Sequence, residues 1–124
     1  MILKDSLYNI ISTDATDKGC AYTLSLNPEH VIYKAHFPEM PITPGVCIIQ
    51  VAKELLEEAT GKSLSITMVK NVKFLRVISP VDTKEVCYSL QKITEEDGCV
   101  KVQVQVTGGE DVYAKLSFTC QIAS

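Results

Sequence analysis

One stretch of helical periodicity, residues 46–59, lies among segments that favour β-strands, and it limits the possible folds more than any other feature of the chain. At 100° per residue its apolar side chains share one broad arc and its polar side chains lie opposite. The apolar arc holds Cys47, Ile48, Ile49, Val51, Ala52, Leu55, Leu56 and Ala59, and the polar arc holds Gln50, Lys53, Glu54, Glu57 and Glu58. A single helix of this kind needs a sheet to cover its apolar side, so the pattern predicts an α+β layer.

The bounds of this helix follow from the residues that flank it. Thr43 suits an N-cap, Pro44 suits the first helical position, where a missing N–H group is tolerated, and Gly61 suits the C-terminal stop. Strands are predicted before the helix at 7–11 and 21–26, with a turn at 14–19 between them and a short extended piece at 31–37. After the helix, strands are predicted at 63–78, 85–93, 99–106 and 112–122, with turns at 95–98 and 108–109. The last three strands are expected to be antiparallel.

Composition excludes several classes of protein. The chain has 124 residues, 46% of them hydrophobic and 22% charged, without internal repeats or linkers, so we expect one soluble domain over residues 1–124. A net charge of −3 gives no reason to expect a nucleic-acid partner. No stretch is long and apolar enough for a leader or a membrane span, which indicates a cytoplasmic protein. The five cysteines lack Cys-x-x-Cys spacing, so we expect reduced, mostly buried thiols and no metal site.

The start of the helix offers a candidate site. The first backbone N–H groups of a helix have no partner within it and lie at the positive end of its dipole, so Gly45 and Val46 can donate to a carbonyl oxygen that becomes negative. Prolines at 38, 41 and 44 stiffen the preceding loop, which carries His36, and imidazole is a suitable base near neutral pH. A structural role for His36, and a packing role for Gly45, are equally open from spacing alone. His30 lacks such a setting and is expected to be structural.

The segment HFPEMPITPGVCIIQ, residues 36–50, closely resembles the motif of the β-hydroxyacyl-acyl-carrier-protein dehydratases, a hotdog-fold family. The match covers His36, Phe37, Pro38, Pro41, Pro44, Gly45 and Val46, and VKNVKFLRVISPVD resembles the family's strand after the helix. The resemblance implies a long central helix wrapped by a curved antiparallel sheet, and two protomers that pair to build sites at their interface. It also implies that His36 removes the α-proton of a 3-hydroxyacyl thioester while the Gly45 and Val46 amides hold its carbonyl, with Phe37 beside the substrate.

The chain departs from the family at Gln50. The family has a Glu or Asp fourteen residues after the histidine, and an amide cannot donate a proton to a departing hydroxyl as a carboxyl does. Glu54, one turn further along, and Glu39, in the loop, are possible replacements, although both also suit a plain surface role. Met40 and Val81 are smaller departures, where the family has a polar residue and a glycine.

An acyl chain on a carrier protein would also need a tunnel and a docking surface. Ile48, Ile49, Met68 and Phe74 are candidate tunnel walls, and they suit an ordinary core as well. Lys70, Lys73 and Arg76 are candidate docking residues for an acidic carrier, with Lys70 and Arg76 on one face of their strand and Lys73 on the other. Ordinary solvated charges are the alternative.

Taken together, the residues and the resemblance predict a hotdog protein that dehydrates 3-hydroxyacyl thioesters linked to acyl carrier protein or coenzyme A, in fatty-acid or related lipid or polyketide synthesis. No metal or cofactor is expected, and the active form is expected to be a homodimer or a dimer-based oligomer. Thioester hydrolysis, with Gln50 positioning a water, is one alternative. A non-catalytic acyl-binding or partner subunit is the other.

Overall fold

The computed structural model of the protein describes residues 2–35 and 39–123. Their order is β1 (Tyr8–Thr16), β2 (Gly19–Leu26), α1 (Val31–Ala35), α2 (Gly45–Thr60), β3 (Leu64–Phe74), β4 (Glu85–Glu96), β5 (Cys99–Gly108) and β6 (Asp111–Ile122). The strands form one antiparallel sheet in the order β1-β2-β4-β5-β6-β3, so β1 and β3 are its edges. The predicted α+β class is therefore confirmed, with one long helix against the sheet.

The core lies between α2 and the inner face of the sheet. Alternate residues of β5 (Val100, Val102, Val104 and Val106) are buried, as are six residues of α2 (Cys47, Ile48, Val51, Ala52, Leu55 and Leu56). Tyr88 of β4 reaches across this core and donates a hydrogen bond of 3.1 Å to the Ile48 carbonyl. Ala59, predicted on the apolar arc, is exposed.

The prediction of extended chain at 31–37 is wrong for residues 31–35, which form α1. Two side chains start this helix: Asn27 Oδ1 accepts the Glu29 amide, and His30 Nδ1 accepts the Ile32 amide, each at 3.0 Å. Such side-chain acceptors favour helix starts over strands. His30 thus has the structural role expected of it. Residues 36 and 37 lie outside the described part of the chain.

The predicted N-cap is also wrong, by one residue. Pro44 is the N-cap and α2 begins at Gly45, without a side-chain cap. Thr43 is buried instead, with its Oγ1 2.9 Å from the hydroxyl of Tyr33 and its amide donating to the Ile78 carbonyl. The C-terminal stop at Gly61 is confirmed: its φ is 69° and its amide donates to the Glu57 carbonyl at 2.8 Å.

The ends of β1 and β3 differ most from the prediction, by four residues or more. β1 continues to Thr16, which shortens the turn to residues 17–18. β3 ends at Phe74, not at residue 78, because the amides of Leu75 and Arg76 both donate to the Tyr113 carbonyl and turn the chain away from the sheet edge. β3 also contains two register shifts, between Ile66 and Met68 and between Val69 and Asn71.

Candidate active site

The first turn of α2 carries two backbone donors that have no acceptor within the described residues. The Pro44 carbonyl accepts the amides of Cys47 and Ile48, at 3.0 and 3.1 Å. Within the described residues, the amides of Gly45 and Val46 donate to no acceptor, and no side chain caps them. The helix start therefore presents two adjacent N–H groups at the positive end of its dipole.

Gly45 lies directly under an aromatic ring. A Cβ atom at this position would lie 2.7 Å from Cζ and 2.9 Å from Cε2 of Phe74, closer than atoms of a side chain and a ring can pack. A side chain at position 45 would therefore force the ring of Phe74 to move. The packing role that the sequence left open for Gly45 is therefore present.

An apolar cavity of about 350 Å³ opens beside this turn. One wall is formed by Ile42, Gly45 and Ile48, and the other by residues 74–78, from Phe74 to Ile78. The predicted tunnel walls thus divide: Ile48 and Phe74 line the cavity, whereas Ile49 is partly buried against the core. Met68 is 60% exposed and lines a different hollow, on the outer face of the sheet, so its prediction as a tunnel wall is wrong.

Gln50 lies elsewhere on the helix. It lines a smaller hollow of about 230 Å³, together with Ile2, Lys4, Lys53 and Glu54 among others. Five residues of α-helix turn about 140° beyond a full turn, so Gln50 faces well away from Gly45, whereas Val46 and Gln50 are four residues apart and share a side. The side chain of Val46 is 66% exposed there. Within one protomer the structure does not bring Gln50 and the cavity beside Gly45 together.

Glu54, which lines this second hollow, accepts four hydrogen bonds. Its Oε2 accepts the amide of Leu3 and the Nε2 of Gln50, and its Oε1 accepts the amide of Lys4, each at 2.8 Å. The hydroxyl of Tyr8 donates to Oε1 at 2.9 Å. Burial, and next the charge of Glu54, raise the pKa of Tyr8 far above its ordinary value, so the phenol keeps its proton and acts as the donor.

This role of Glu54 was missed by the sequence reasoning, which placed it on a solvated polar arc. All four of these partners donate to it, so the carboxylate serves as an acceptor for the N-terminal segment and for Gln50. The partners come from residues 46 to 51 positions away and from the adjacent helical turn. The helical period of 3.6 residues predicts only the contact with Gln50, and no local sequence pattern predicts the other three partners.

The candidate docking lysines share one face, contrary to the predicted alternation. The second register shift of β3 brings Lys70 to the outer face of the sheet, where it lines a hollow with Lys115, and Lys73 lies directly opposite Lys115 on β6. Arg76 lies beyond the strand and pairs with Asp111 at 3.5 Å. Lys115, which the sequence reasoning did not select, therefore completes a cluster of three lysines that we call the lysine face: Lys70, Lys73 and Lys115.

The nucleophiles near the first turn are buried and inert. Burial raises the pKa of the Cys47 thiol, and burial also raises that of Tyr33, whose hydroxyl lies against Thr43. A thiol that stays protonated is a poor nucleophile. His36 and Phe37, the remaining predicted site residues, lie outside the described part of the chain. No helix among the described residues is long and apolar enough to cross a membrane.

Comparisons with known proteins agree on one family. The model of the ApeI-like family, described as ApeI dehydratase, matches residues 12–117. The 3-hydroxyacyl-[acyl-carrier-protein] dehydratase FabZ of Latilactobacillus sakei subsp. sakei (strain 23K) is 33% identical over 94 residues, which are 70% of this chain and 67% of that protein.

Solved structures show the same fold at lower identity. The dehydratase heterocomplex ApeI:P from Xenorhabdus doucetiae contains a chain with a TM-score of 0.73 and 16% identity, over 92% of this chain and 97% of that one. A hypothetical thioesterase protein with coenzyme A from Streptococcus pneumoniae TIGR4 has a TM-score of 0.64 and 11% identity, over 94% and 86%. The hotdog fold predicted from the sequence is thus confirmed, and the match over residues 12–117 shows that the chain belongs to the ApeI-like dehydratase family.

Proposed function

We propose that this chain is a cytoplasmic enzyme that dehydrates 3-hydroxyacyl thioesters to trans-2-enoyl thioesters. The observation that carries the proposal is an apolar cavity of about 350 Å³ beside the amides of Gly45 and Val46, which have no acceptor in the part of the chain that the structure describes. A thioester carbonyl at these amides would be stabilised as negative charge develops on its oxygen. Membership of a dehydratase family supports the same reaction.

In this proposal His36 removes the α-proton, and the carbon–oxygen bond at the β-carbon breaks as the double bond forms. The departing hydroxyl needs a proton to leave as water. Because the amide of Gln50 is a poor acid, we assign that proton to the imidazolium that His36 has just become, with Gln50 orienting the β-hydroxyl. One group then takes and returns the proton, and no other proton donor is required.

The reaction is tested with a 3-hydroxyacyl thioester of a carrier protein or of coenzyme A. We expect absorbance from the conjugated enoyl thioester and no release of free thiol. His36→Ala should abolish that absorbance, and kcat/KM of the unaltered protein should rise with pH through about 6.5, the ordinary imidazole value. Thiol release would instead indicate hydrolysis, and neither signal would indicate a binding or partner subunit. Either result overturns the proposal.

We propose an acidic carrier protein as the donor of the acyl group, docked on the lysine face. Lys73 adjoins Phe74, which lines the cavity, and Lys70, Lys73 and Lys115 form no ion pair within the described residues. Clustered cations attract acidic partners and raise their association rates. Lys73→Glu should raise KM for the carrier-linked substrate but not for the same acyl group on a short thiol. Lys18→Glu, at the opposite edge of the sheet, is the control.

We propose that two copies pair over the exposed apolar side chains near the β3 edge. This patch comprises Val46, Met68, Val69, Phe74, Leu75 and Val77, each at least 44% exposed. Such clustering is typical of an interface. A second copy there would lie beside Val46, on the side of α2 that carries Gln50. Met68→Glu should produce monomers in a molar-mass measurement, and a variant that stays dimeric would place the interface elsewhere.

A further inference from the structure

The hydrogen bond between Gln50 and Glu54 determines how the amide of Gln50 is oriented. Its Nε2 lies 2.8 Å from Glu54 Oε2. An ionised carboxylate can only accept a hydrogen bond, so the NH2 group, and not the oxygen, must face Glu54. In a planar amide the oxygen then points away from Glu54. A glutamine beside a neutral partner would have no such restriction.

Glu54 itself is fixed by the N-terminal segment. The amides of Leu3 and Lys4 and the hydroxyl of Tyr8 donate to it, and these groups belong to backbone or to a buried ring. Three donors from outside the helix therefore hold the carboxylate in one position. The chain of contacts runs from residues 3–8, through Glu54, to Gln50.

We infer that Glu54 is the positioning residue for Gln50, turning its NH2 group inward so that the amide oxygen meets the β-hydroxyl of the substrate as an acceptor. This inference rests on the proposed function for its substrate, and on the hydrogen bonds of Glu54 for its geometry. It assigns Gln50 to orientation and leaves proton transfer to His36. It also gives the N-terminal segment a part in the site, through Glu54.

The other acids around this hollow are paired with lysines, so Glu54 is the acid whose charge acts on position 50. Lys4 pairs with Glu58 at 3.4 Å and Lys53 pairs with Glu57 at 3.5 Å, so two cations and two of the three acids around the hollow balance. Among the described residues, Tyr8 is the remaining titratable group in contact with Glu54, and it is protonated. A second carboxyl introduced at position 50 would therefore interact mainly with Glu54.

The first test measures the side chain of Gln50 directly, with no need for turnover. In ¹⁵N-labelled protein, one proton of the Gln50 NH2 pair should exchange slowly with water. Glu54→Gln should speed this exchange, because a neutral amide is a weaker acceptor than a carboxylate, and Glu58→Gln, at an exposed acid of the same helix, should not. A fast Gln50 proton in the unaltered protein, or one that Glu54→Gln leaves unchanged, would overturn the inference.

The second test uses activity. Glu54→Gln should lower kcat by about 10- to 100-fold with little change in KM, as expected for a misplaced orienting group. Glu58→Gln, the same substitution at an exposed acid of the same helix, should keep kcat. Equal losses of kcat in both variants would mean that any change of charge on this side of the helix lowers activity, and would contradict positioning.

The pH dependence of activity further separates a positioning role of Glu54 from a structural one. In Gln50→Glu, two carboxyls in contact share a proton, so activity should fall at high pH with an apparent pKa about one unit or more above that of Gln50→Glu/Glu54→Gln. Coincident profiles would mean that position 54 does not touch position 50. Absence of any turnover in the unaltered protein would refute the proposed function, and the exchange measurement would still decide the inference.

Discussion

The first turn of α2 and the side of the same helix around Gln50 and Glu54, which we call the flank, differ in how their polar groups are hydrogen-bonded. At the first turn, two amides donate to nothing within the described residues, and an apolar cavity lies beside them. On the flank, one carboxylate collects four donors from two parts of the chain. Unsatisfied donors next to a cavity suit a ligand, whereas a saturated acceptor suits a fixed support. The first turn is therefore suited to binding a ligand, and the flank is suited to holding a side chain in place.

The largest expected effect on stability would come from removing the carboxylate of Glu54. Glu54→Ala leaves the amides of Leu3 and Lys4 and the hydroxyl of Tyr8 without their acceptor, so the free energy of unfolding should fall by about 2–3 kcal/mol. Glu58→Ala, which removes an exposed ion pair from the same helix, should change it by less than about 1 kcal/mol. Denaturant titration measures both. Equal effects would mean that the flank is no more fixed than the surface.

The next effect concerns the first turn. Gly45→Ala places a methyl group against the ring of Phe74, which we expect to lower stability by about 1–3 kcal/mol and to displace the ring into the cavity. Phe74→Leu in the same chain should recover part of that loss. Val46→Ala, at an exposed neighbour, is the control. If Gly45→Ala kept both stability and activity, the close approach of Phe74 would not shape the site.

The core beneath both regions gives a third effect, seen at high pH. Burial raises the pKa of the Cys120 thiol from 9.0 to about 11. Since the folded value is the higher one, the stabilisation is complete below pH 9 and is lost between pH 9 and about 11, by at most about 1.4 kcal/mol per pH unit. Cys120→Ala should flatten this dependence in reducing denaturation experiments, and Cys99→Ala, outside the core, should keep it.

The smallest effect tests the link between α1 and the loop that precedes α2. Tyr33→Phe or Thr43→Val removes one buried hydrogen bond, and either should reduce stability by about 1 kcal/mol. The double variant should lose little more than one single variant, because both remove the same contact. Additive losses, measured by the same titration, would show that the two hydroxyls do not bind each other.

The sequence predicted the parts of this molecule that depend on period and on backbone chemistry. The alternation in β5 and the apolar arc of α2 determine which side of each element is buried, and Gly61 ends the helix through its positive φ. Gly45 was predicted at the helix start from the same kind of reasoning. These features are local, so a few neighbouring residues suffice to specify them.

The predictions from sequence were wrong where the structure depends on particular side-chain hydrogen bonds or on contacts between distant segments. Residues 31–35 became helical because Asn27 and His30 accept backbone amides, and the outer placement of Lys70 depends on a register shift that no residue pattern announces. Glu54 was predicted only as a possible replacement acid or a surface acid, since the backbone amides that it binds lie about fifty residues away. Contacts between sequence-distant segments are set by tertiary structure, which local propensity does not encode.

The facing lysines at positions 73 and 115 have a consequence for ionic strength. Like charges directly opposite each other on neighbouring strands repel, and dissolved salt screens that repulsion. Moderate salt should therefore stabilise this part of the sheet slightly while it weakens the attraction that we propose between the same lysines and an acidic carrier. The fold and its encounter with a carrier would then favour opposite buffer conditions, and assays in dilute buffer would show the tighter encounter.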